Sequence, residues 1–475
     1  MLWIQKTTLV LSIFVGIFTI YEVWYNESFS NLFSVTKNVS NFATKNIITN
    51  MPSSKYMLLQ KRNDSSHPFH IYSAYCDERG LYRSEKRIER FIGILSIFDR
   101  RESHLENRYM CLFYYFSNGM KSIVHADVLY SLVISRSINV PPSRYVVCQL
   151  KNNVPCPSAA SLVSKSIYEG KTSHTNQPIV KVENQVKPDE LENVGFCVSP
   201  LYKSPGFSPS LERLVEWIEY HIAIGVSHFH MHLPGENTAV YPEKRIHDLL
   251  EHYERIGRVT ITTSPQKTDF SLTPYNQMRF AQQLVVNSCI IRNAFKYRYI
   301  FVHDIDEVMV FRNKTQTFED IRLAEGNITN YSVRYAEFPV NCRLTKNNRL
   351  FKWNARYAKN NPLYLYYYRR GFLYNALPKS VINPRLCITT NGHICYASSR
   401  THATKSRISN DIAIISHFRN SIVQRRQNFT NKYCQWMRIE YKAFGLKSAN
   451  IVDLNNTNVG YIQRTVLTKI YKILK

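Results

Sequence analysis

Between Gly195 and Glu307 the spacing of apolar residues changes repeatedly from continuous runs to helical periodicity and back, which restricts the possible folds more than any other feature of the chain. GFCVSPLY reads as a buried strand ending in turn residues. LERLVEWIEYHIAIG then sets Leu211, Leu214, Val215, Ile218 and Ile222 on one face at 3.6-residue spacing, and Gly225 follows as a stop. VSHFHMHLPG gives a second strand, RIHDLLEHYERIG a second helix and RVTITTS a third strand. A longer helix, QMRFAQQLVVNSCIIRNAFK, carries Met278, Ala281, Val285 and Cys289 on one face and leads into the apolar strand YIFV and the acidic run HDIDE. Strand, helix, strand, helix, strand is the order of a nucleotide-binding sheet, so the expected class is α/β with a mainly parallel sheet.

The flanking sequence predicts further parts. TTLVLSIFVGIFTIY, between Lys6 and Glu22, is uncharged and is followed by Trp24 and Tyr25. Residues 7–25 are therefore expected to form a single transmembrane signal anchor behind a cytoplasmic tail of residues 1–6. A cleaved signal peptide is the rival reading, but no small-x-small cleavage site follows the run. Residues 26–68, rich in Asn, Ser, Thr and Lys, read as a stem. FHIYSAY, FIGILSIF, MCLFYYF and RYVVCQL have strand length, making 69–156 a small β-rich accessory region. Polar 157–193 reads as a linker, 194–450 as the main domain and 451–475 as a C-terminal tail.

Charge and cysteines bear on compartment and partners. The formal net charge is +26, but Lys and Arg are scattered and form no long basic arm, so nucleic acid is not expected as a partner. An anionic small substrate, an acidic glycan or a membrane surface would use the same excess. Ten cysteines (76, 111, 148, 156, 197, 289, 342, 387, 395 and 434) show no CxxC pairs, which argues against thiolate metal sites. Their even number fits disulfides in an oxidising compartment, with connectivity left open. Sequons at Asn26, Asn38, Asn63, Asn313, Asn327, Asn330, Asn428 and Asn455 agree with a luminal location.

Chemistry is expected where the strand YIFV leaves the sheet. Residues two apart in extended backbone point the same way, so Asp304 and Asp306 can face one ligand. Their hard oxygens suit Mn²⁺ or Mg²⁺, which can bridge to a diphosphate. His228, His230 and His232 share a strand face, but without a third ligand type nearby they read as polar packing. G-x-S-x-G, Walker A and G-x-G-x-x-G signatures are absent from the sequence.

CVSPLY, LVEWIEYHIAIGVSHF, QQLVVNSCIIRNAFKYRYIFVHDIDEV, LPKSVINP and the late SHFRN, in this order, resemble glycosyltransferase family 92, Golgi galactosyltransferase-like proteins with a GT-A fold. The resemblance covers about 195–420, and FHIYSAYCDERG and CQLKNNVPCP look like the upstream region of that family. It implies a GT-A-like nucleotide-sugar-binding domain over 194–450 and a metal-dependent inverting transfer of galactose from UDP-galactose. The acceptor would be a glycan of glycoproteins or glycolipids, and the enzyme would be a single-pass type II protein of the Golgi membrane. By the resemblance, Asp304 and Asp306 carry the metal and diphosphate, and Cys197, Val198, Ser199, Pro200 and Tyr202 belong to the first nucleotide-side strand and loop. His417 stands where a late ligand to metal or diphosphate is expected, and Lys379 where it can meet a phosphate oxygen. Glu307 would orient Asp306. Inversion needs a general base, for which Glu337 in RYAEFPVN is the candidate. Two departures stand out: the strand after VSHF ends HMHLPG rather than on an acidic residue, and a tryptophan expected near Thr263-Ser264-Pro265 is missing. They keep open an alternative, a catalytically silent, anchored glycan-binding protein that retains the fold.

Overall fold

The computed structural model describes most of residues 69–201, 211–263 and 274–313, together with 328–339, 370–398, 404–419 and the short stretches 60–61 and 451–453. Its first half is a barrel. The strands are β1 (Gln60–Lys61), β2 (Phe69–Asp77), the small hairpin β3 (Leu81–Arg83) and β4 (Lys86–Ile88), and β5 (Phe91–Phe98). A short helix α1 (Leu105–Arg108) precedes β6 (Tyr109–Ser117), β7 (Met120–Val133), β8 (Ser143–Gln149), β9 (Ala159–Ser164) and β10 (Val180–Asn184). Pairing runs β2-β10-β9-β6-β7-β8-β5, and β5 pairs back onto β2, so seven strands close a ring with β1 added to β2 outside it. Closure explains why FHIYSAY and FIGILSIF are buried along their whole length: a closed sheet fills its interior with one set of side chains while the other set is covered from outside. Phe69, Phe98 and Tyr109 pack within 5.6 Å of one another inside it. Cys76–Cys156 and Cys111–Cys148 staple it.

The second half begins with β11 (Glu192–Cys197), α2 (Leu211–Ala223), β12 (His228–Leu233), α3 (Lys244–Arg255), β13 (Val259–Thr263), α4 (Pro274–Arg292) and β14 (Tyr297–Val302). Here the alternation read from the sequence is realised: β13, β12, β11 and β14 lie side by side and parallel. Helix α2 buries Leu214, Val215, Trp217 and Ile218 against this sheet, each worth roughly 1.5–3 kcal/mol of apolar transfer. It stops at Gly225, whose φ of +104° is the left-handed turn that glycine adopts without a Cβ clash.

Beyond β14 the sheet changes character. β15 (Glu307–Phe311), β16 (Ile328–Pro339), β17 (Arg370–Ile382), the hairpin β18 (Cys387–Thr390) and β19 (Cys395–Ser398), β20 (Thr404–Arg407), β21 (Ala413–Arg419) and β22 (Ile451–Asp453) follow. β17 joins β14 antiparallel, and the order continues β17-β16-β21-β15 in mixed directions to make ten strands with β20 and β22.

This overturns the expected fold class. The described residues are strand-rich, with a closed barrel and a curled mixed sheet, instead of an α/β domain on a mainly parallel sheet behind a small β-rich region. The stretch expected as a linker, 157–193, supplies β9 and β10. In β10 the pattern V-K-V-E alternates buried Val180 and Val182 with exposed Lys181, a period of two too short to separate from a polar loop by composition. The expected transmembrane anchor, residues 7–25, lies outside the described residues, as does the expected stem, 26–68, but for 60–61. No helix among the described residues is long and apolar enough to cross a membrane.

Candidate functional site

In the parallel strands the order 13-12-11-14 reverses direction of winding between β11 and β14, the switch point at which sheets of this kind open a crevice at the C-terminal strand ends. Two chain segments emerge there: Val198–Leu201 after β11 and His303–Asp306 after β14. The first is held by Val198 N–H on the His230 carbonyl (3.1 Å) and Leu201 N–H on the His232 carbonyl (2.8 Å). Cys197, buried at the end of β11, is tied to Cys289 of α4.

The second segment is not extended. Glu307 N–H donates to the Asp304 carbonyl (3.0 Å), while Asp304 N–H donates to the Glu307 carboxylate (3.0 Å), a reciprocal turn through Ile305 and Asp306. Asp304 and Asp306 therefore have different partners. Asp304 accepts hydrogen bonds from Lys379 Nζ (3.2 Å) and Gln282 Nε2 (3.3 Å), and that amide also donates to Ser199 Oγ (2.8 Å). Asp306 instead lies 3.4 Å from His417 Nε2, which is 3.9 Å from Glu307. One donor atom from each of Asp306, Glu307 and His417 falls within 4.8 Å of the others. Two carboxylates and an imidazole are a donor set that suits a divalent ion such as Mn²⁺.

Each of these side chains is fixed from behind. Trp217 of α2 donates its indole N–H to the Glu307 carbonyl (2.8 Å), and Tyr220 donates to Met309 (2.9 Å), seating β15 on that helix. Glu307 and His417 face each other in the antiparallel register of β15 and β21. Lys379, on β17, stands 2.9 Å from Glu307 and completes a cluster of three carboxylates around one ammonium and one imidazole.

Electrostatics follow from burial against pairing. Burial would raise the Asp304 carboxyl, but the Lys379 ammonium and hydrogen bonds from Ser199 and Lys379 override it and hold it below the usual carboxylate range. For Glu307 burial wins, reinforced by Asp304 and Asp306, so its carboxyl is raised despite Lys379. Burial would lower both cations; the carboxylates instead raise Lys379 through Asp304 and Glu307, and His417 mainly through its hydrogen bond to Asp306. The site thus holds its charges paired.

The remaining expected residues are placed as follows. Ser199 reaches the centre through Gln282; Cys197, Val198 and Pro200 are buried in the strand end behind it. Tyr202 lies outside the described residues. Glu337 pairs in register with His417 across β16 and β21, which sets its backbone at the edge of the site. His228, His230 and His232 stay out of it: His228 bonds Thr260 and Gly257, and His230 bonds Tyr297. Gln282 was not singled out from the sequence. Its signal is the seven-residue spacing to Cys289, which puts both on one helix face once Cys289 is joined to Cys197.

Known proteins resemble this chain over part of its length. Galactan beta-1,4-galactosyltransferase GALS1 of Arabidopsis thaliana is 30% identical over 146 residues, 30% of this chain and 27% of that protein. Galactan beta-1,4-galactosyltransferase GALS3 of the same plant is 23% identical over 294 residues, 59% of this chain and 51% of that protein. The chain thus spans about half the length, or less, of the curated relatives it matches. Among solved structures, a ferredoxin-NADP+ reductase from Plasmodium falciparum superposes with a TM-score of 0.15 at 9% identity over 51% of this chain and 87% of that one, which says nothing about this fold. Residues 192–455, more than half of the chain and including every residue of the cluster around Lys379, match the model of glycosyltransferase family 92, and the chain belongs to that family.

Proposed function

We propose that the protein transfers galactose from UDP-galactose to a galactose-containing glycan acceptor, with inversion at the anomeric carbon and with the help of a divalent cation. The observation that carries this reading is the convergence of Asp306, Glu307 and His417 at the sheet crevice, inside the region that matches the family. The galactosyl donor and the galactan-like acceptor rest on the names of the relatives. Asp306, Glu307 and His417 would hold Mn²⁺ or Mg²⁺, which when bound supplies neutralisation for a departing diphosphate.

The chain's own residues do the rest. Gln282 couples Ser199, on the β11 loop, to Asp304, so the two segments lining the crevice keep one spacing. Lys379, 3.2 Å from Asp304 and 2.9 Å from Glu307, offsets the repulsion between these neighbouring carboxyl groups and holds them in place at the crevice. The acceptor hydroxyl must lose a proton as it attacks, and Glu337, beside His417 in the sheet, is our candidate base. Four disulfides among the described residues and eight sequons support an oxidising compartment, for which we propose the Golgi lumen.

The test is a transfer assay with the full chain, a panel of UDP- and GDP-sugars and β-galactooligosaccharide acceptors, with Mn²⁺, Mg²⁺ or chelator. Galactosylated product that needs UDP-galactose and a divalent ion is expected. Neither transfer nor donor hydrolysis with any sugar would favour the silent glycan-binding alternative.

A further inference from the structure

The barrel and the sheet are joined by a buried arginine whose contacts lead, step by step, to the site lysine. Arg79 follows β2 and is fully buried, with its guanidinium paired to Asp77, whose second oxygen also accepts from the Tyr145 hydroxyl (2.9 Å). Its remaining N–H groups cross to the other half of the chain. Nη1 donates to the carbonyls of Pro384 (3.1 Å) and Cys387 (2.6 Å), and Nη2 to Ile388 (3.3 Å). Planar, rigid and permanently charged, a guanidinium is the group that can satisfy a carboxylate and several carbonyls at once.

Those carbonyls lie in the turn before β18 and at the start of the β18–β19 hairpin, which Cys387–Cys395 closes. Its turn is gripped from α4 by Asn287, which donates to the Thr390 carbonyl and accepts from Thr390 N–H (2.8 and 2.9 Å). The tip of the hairpin lies on β17 at the site itself: Ser380 N–H donates to the Gly392 carbonyl (3.3 Å), the Ser380 hydroxyl donates to the His393 carbonyl, and His393 Nδ1 bonds the Pro378 carbonyl (3.0 Å). Pro378 and Ser380 flank Lys379, whose ammonium sits between Asp304 and Glu307.

We propose that Arg79 is a positioning residue for the transfer reaction: by fixing the 387–395 hairpin from the barrel, it sets where β17 presents Lys379 to the site carboxylates. This rests on the reading of the site as a glycosyl-transfer centre. It gives the barrel a role in catalysis beyond any ligand of its own, because shifting the hairpin shifts the ammonium that pairs with Asp304 and Glu307. A displacement of about 1 Å in such an array costs on the order of 100-fold in rate.

The experiment compares the full chain with Arg79→Lys and with a barrel-core control, Ile92→Ala, which is buried on the side of the barrel packed around Cys76, Cys111 and Cys148. Transfer rates at saturating donor and acceptor are read well below each melting temperature, together with hydrogen exchange by mass spectrometry. Arg79→Lys should lower kcat about 10- to 100-fold with KM changed little, and should speed exchange over residues 378–394 but not over β9. Ile92→Ala should lower the melting temperature while leaving kcat and hairpin exchange as in the parent. Should Arg79→Lys fail to fold, Ser380→Ala cuts the same path next to the site without touching the barrel and should reproduce both effects. Parental kcat and parental exchange over 378–394 in Arg79→Lys or, failing its expression, in Ser380→Ala would overturn the proposal, as would an equal loss of kcat in Ile92→Ala. A parent that transfers no sugar would overturn the functional reading alone, since the exchange arm still decides whether Arg79 governs the segment that carries Lys379.

Discussion

Lys379 and Glu307 meet as an ammonium and a carboxylate 2.9 Å apart, with side chains 14% and 2% exposed. So buried a carboxylate tolerates ionisation only with a cation at hand. Lys379→Met should therefore cost about 3–5 kcal/mol, the usual penalty for removing one partner of a buried pair. The measurement is chemical denaturation near neutral pH; an unchanged midpoint would show that Glu307 does not depend on this lysine.

Asp304 and Asp306, two residues apart, should fail differently when replaced. Asp306→Asn removes the charge facing His417 and a member of the three-residue donor set. We expect transfer to fall at least ~10²–10³-fold, the scale for losing one preorganised electrostatic contact, with weaker metal dependence. Asp304→Asn keeps an oxygen for Gln282 but loses the ion pair with Lys379, so it should be the milder change in rate. Rates and thermal melts of both variants check this. An Asp306→Asn enzyme at the parental rate would contradict the assignment.

Acid should destabilise the fold through its buried imidazoles. Burial lowers His221 and His232 from 6.5 to about 3, and neither ring nitrogen of His232 has a hydrogen-bond partner. A folded pKa below the unfolded one means that stability is fully present above pH 6.5. It is lost as pH falls from there toward 3, because only the unfolded chain binds the proton. At pH 5 the loss is about 2 kcal/mol per imidazole. His232→Leu forfeits no hydrogen bond and should flatten the fall in melting temperature between pH 7 and 5. A pH profile identical to the parent's would refute this account.

Gly93 tests the barrel packing that supports Arg79. A Cβ at this position would lie 1.9 Å from the Tyr145 hydroxyl oxygen and 2.1 Å from Cζ of the same ring, so Gly93→Ala must displace the tyrosine that bonds Asp77. We expect a loss of about 1–3 kcal/mol, typical of overpacking, partly recovered when Tyr145→Leu is added. Equal stability of Gly93→Ala and parent would show that the ring moves freely.

Much of the parallel half was legible because each element there has its own periodicity. The α2 face, the stop at Gly225 and the apolar run YIFV follow from local spacing, and they locate the crevice before any contact is known. The barrel was not legible in the same way. FHIYSAY and FIGILSIF read as strands, but β2 pairing with both β5 and β10, some hundred residues downstream, is a long-range event that no local pattern records. The acidic motif shows the same limit at the scale of one turn: extended backbone would send Asp304 and Asp306 the same way, whereas the hydrogen bond from Glu307 to Asp304 turns the chain and separates them.

What the sequence by itself determined is the set of chemical groups and the local elements that carry them: an acidic run after an apolar strand, a histidine in SHFRN, a lysine in LPKS and amphipathic helices with defined ends. Only the tertiary structure decided which groups meet. Register across β15 and β21 brings His417 to Glu307, and β17 delivers Lys379 between Asp304 and Glu307 from some seventy residues away. A disulfide aims α4 so that Gln282 joins the two crevice segments. Periodicity is a property of neighbours along the chain, while pairing is settled by burial and charge balance between distant segments, and for that reason the second could not be read from the first.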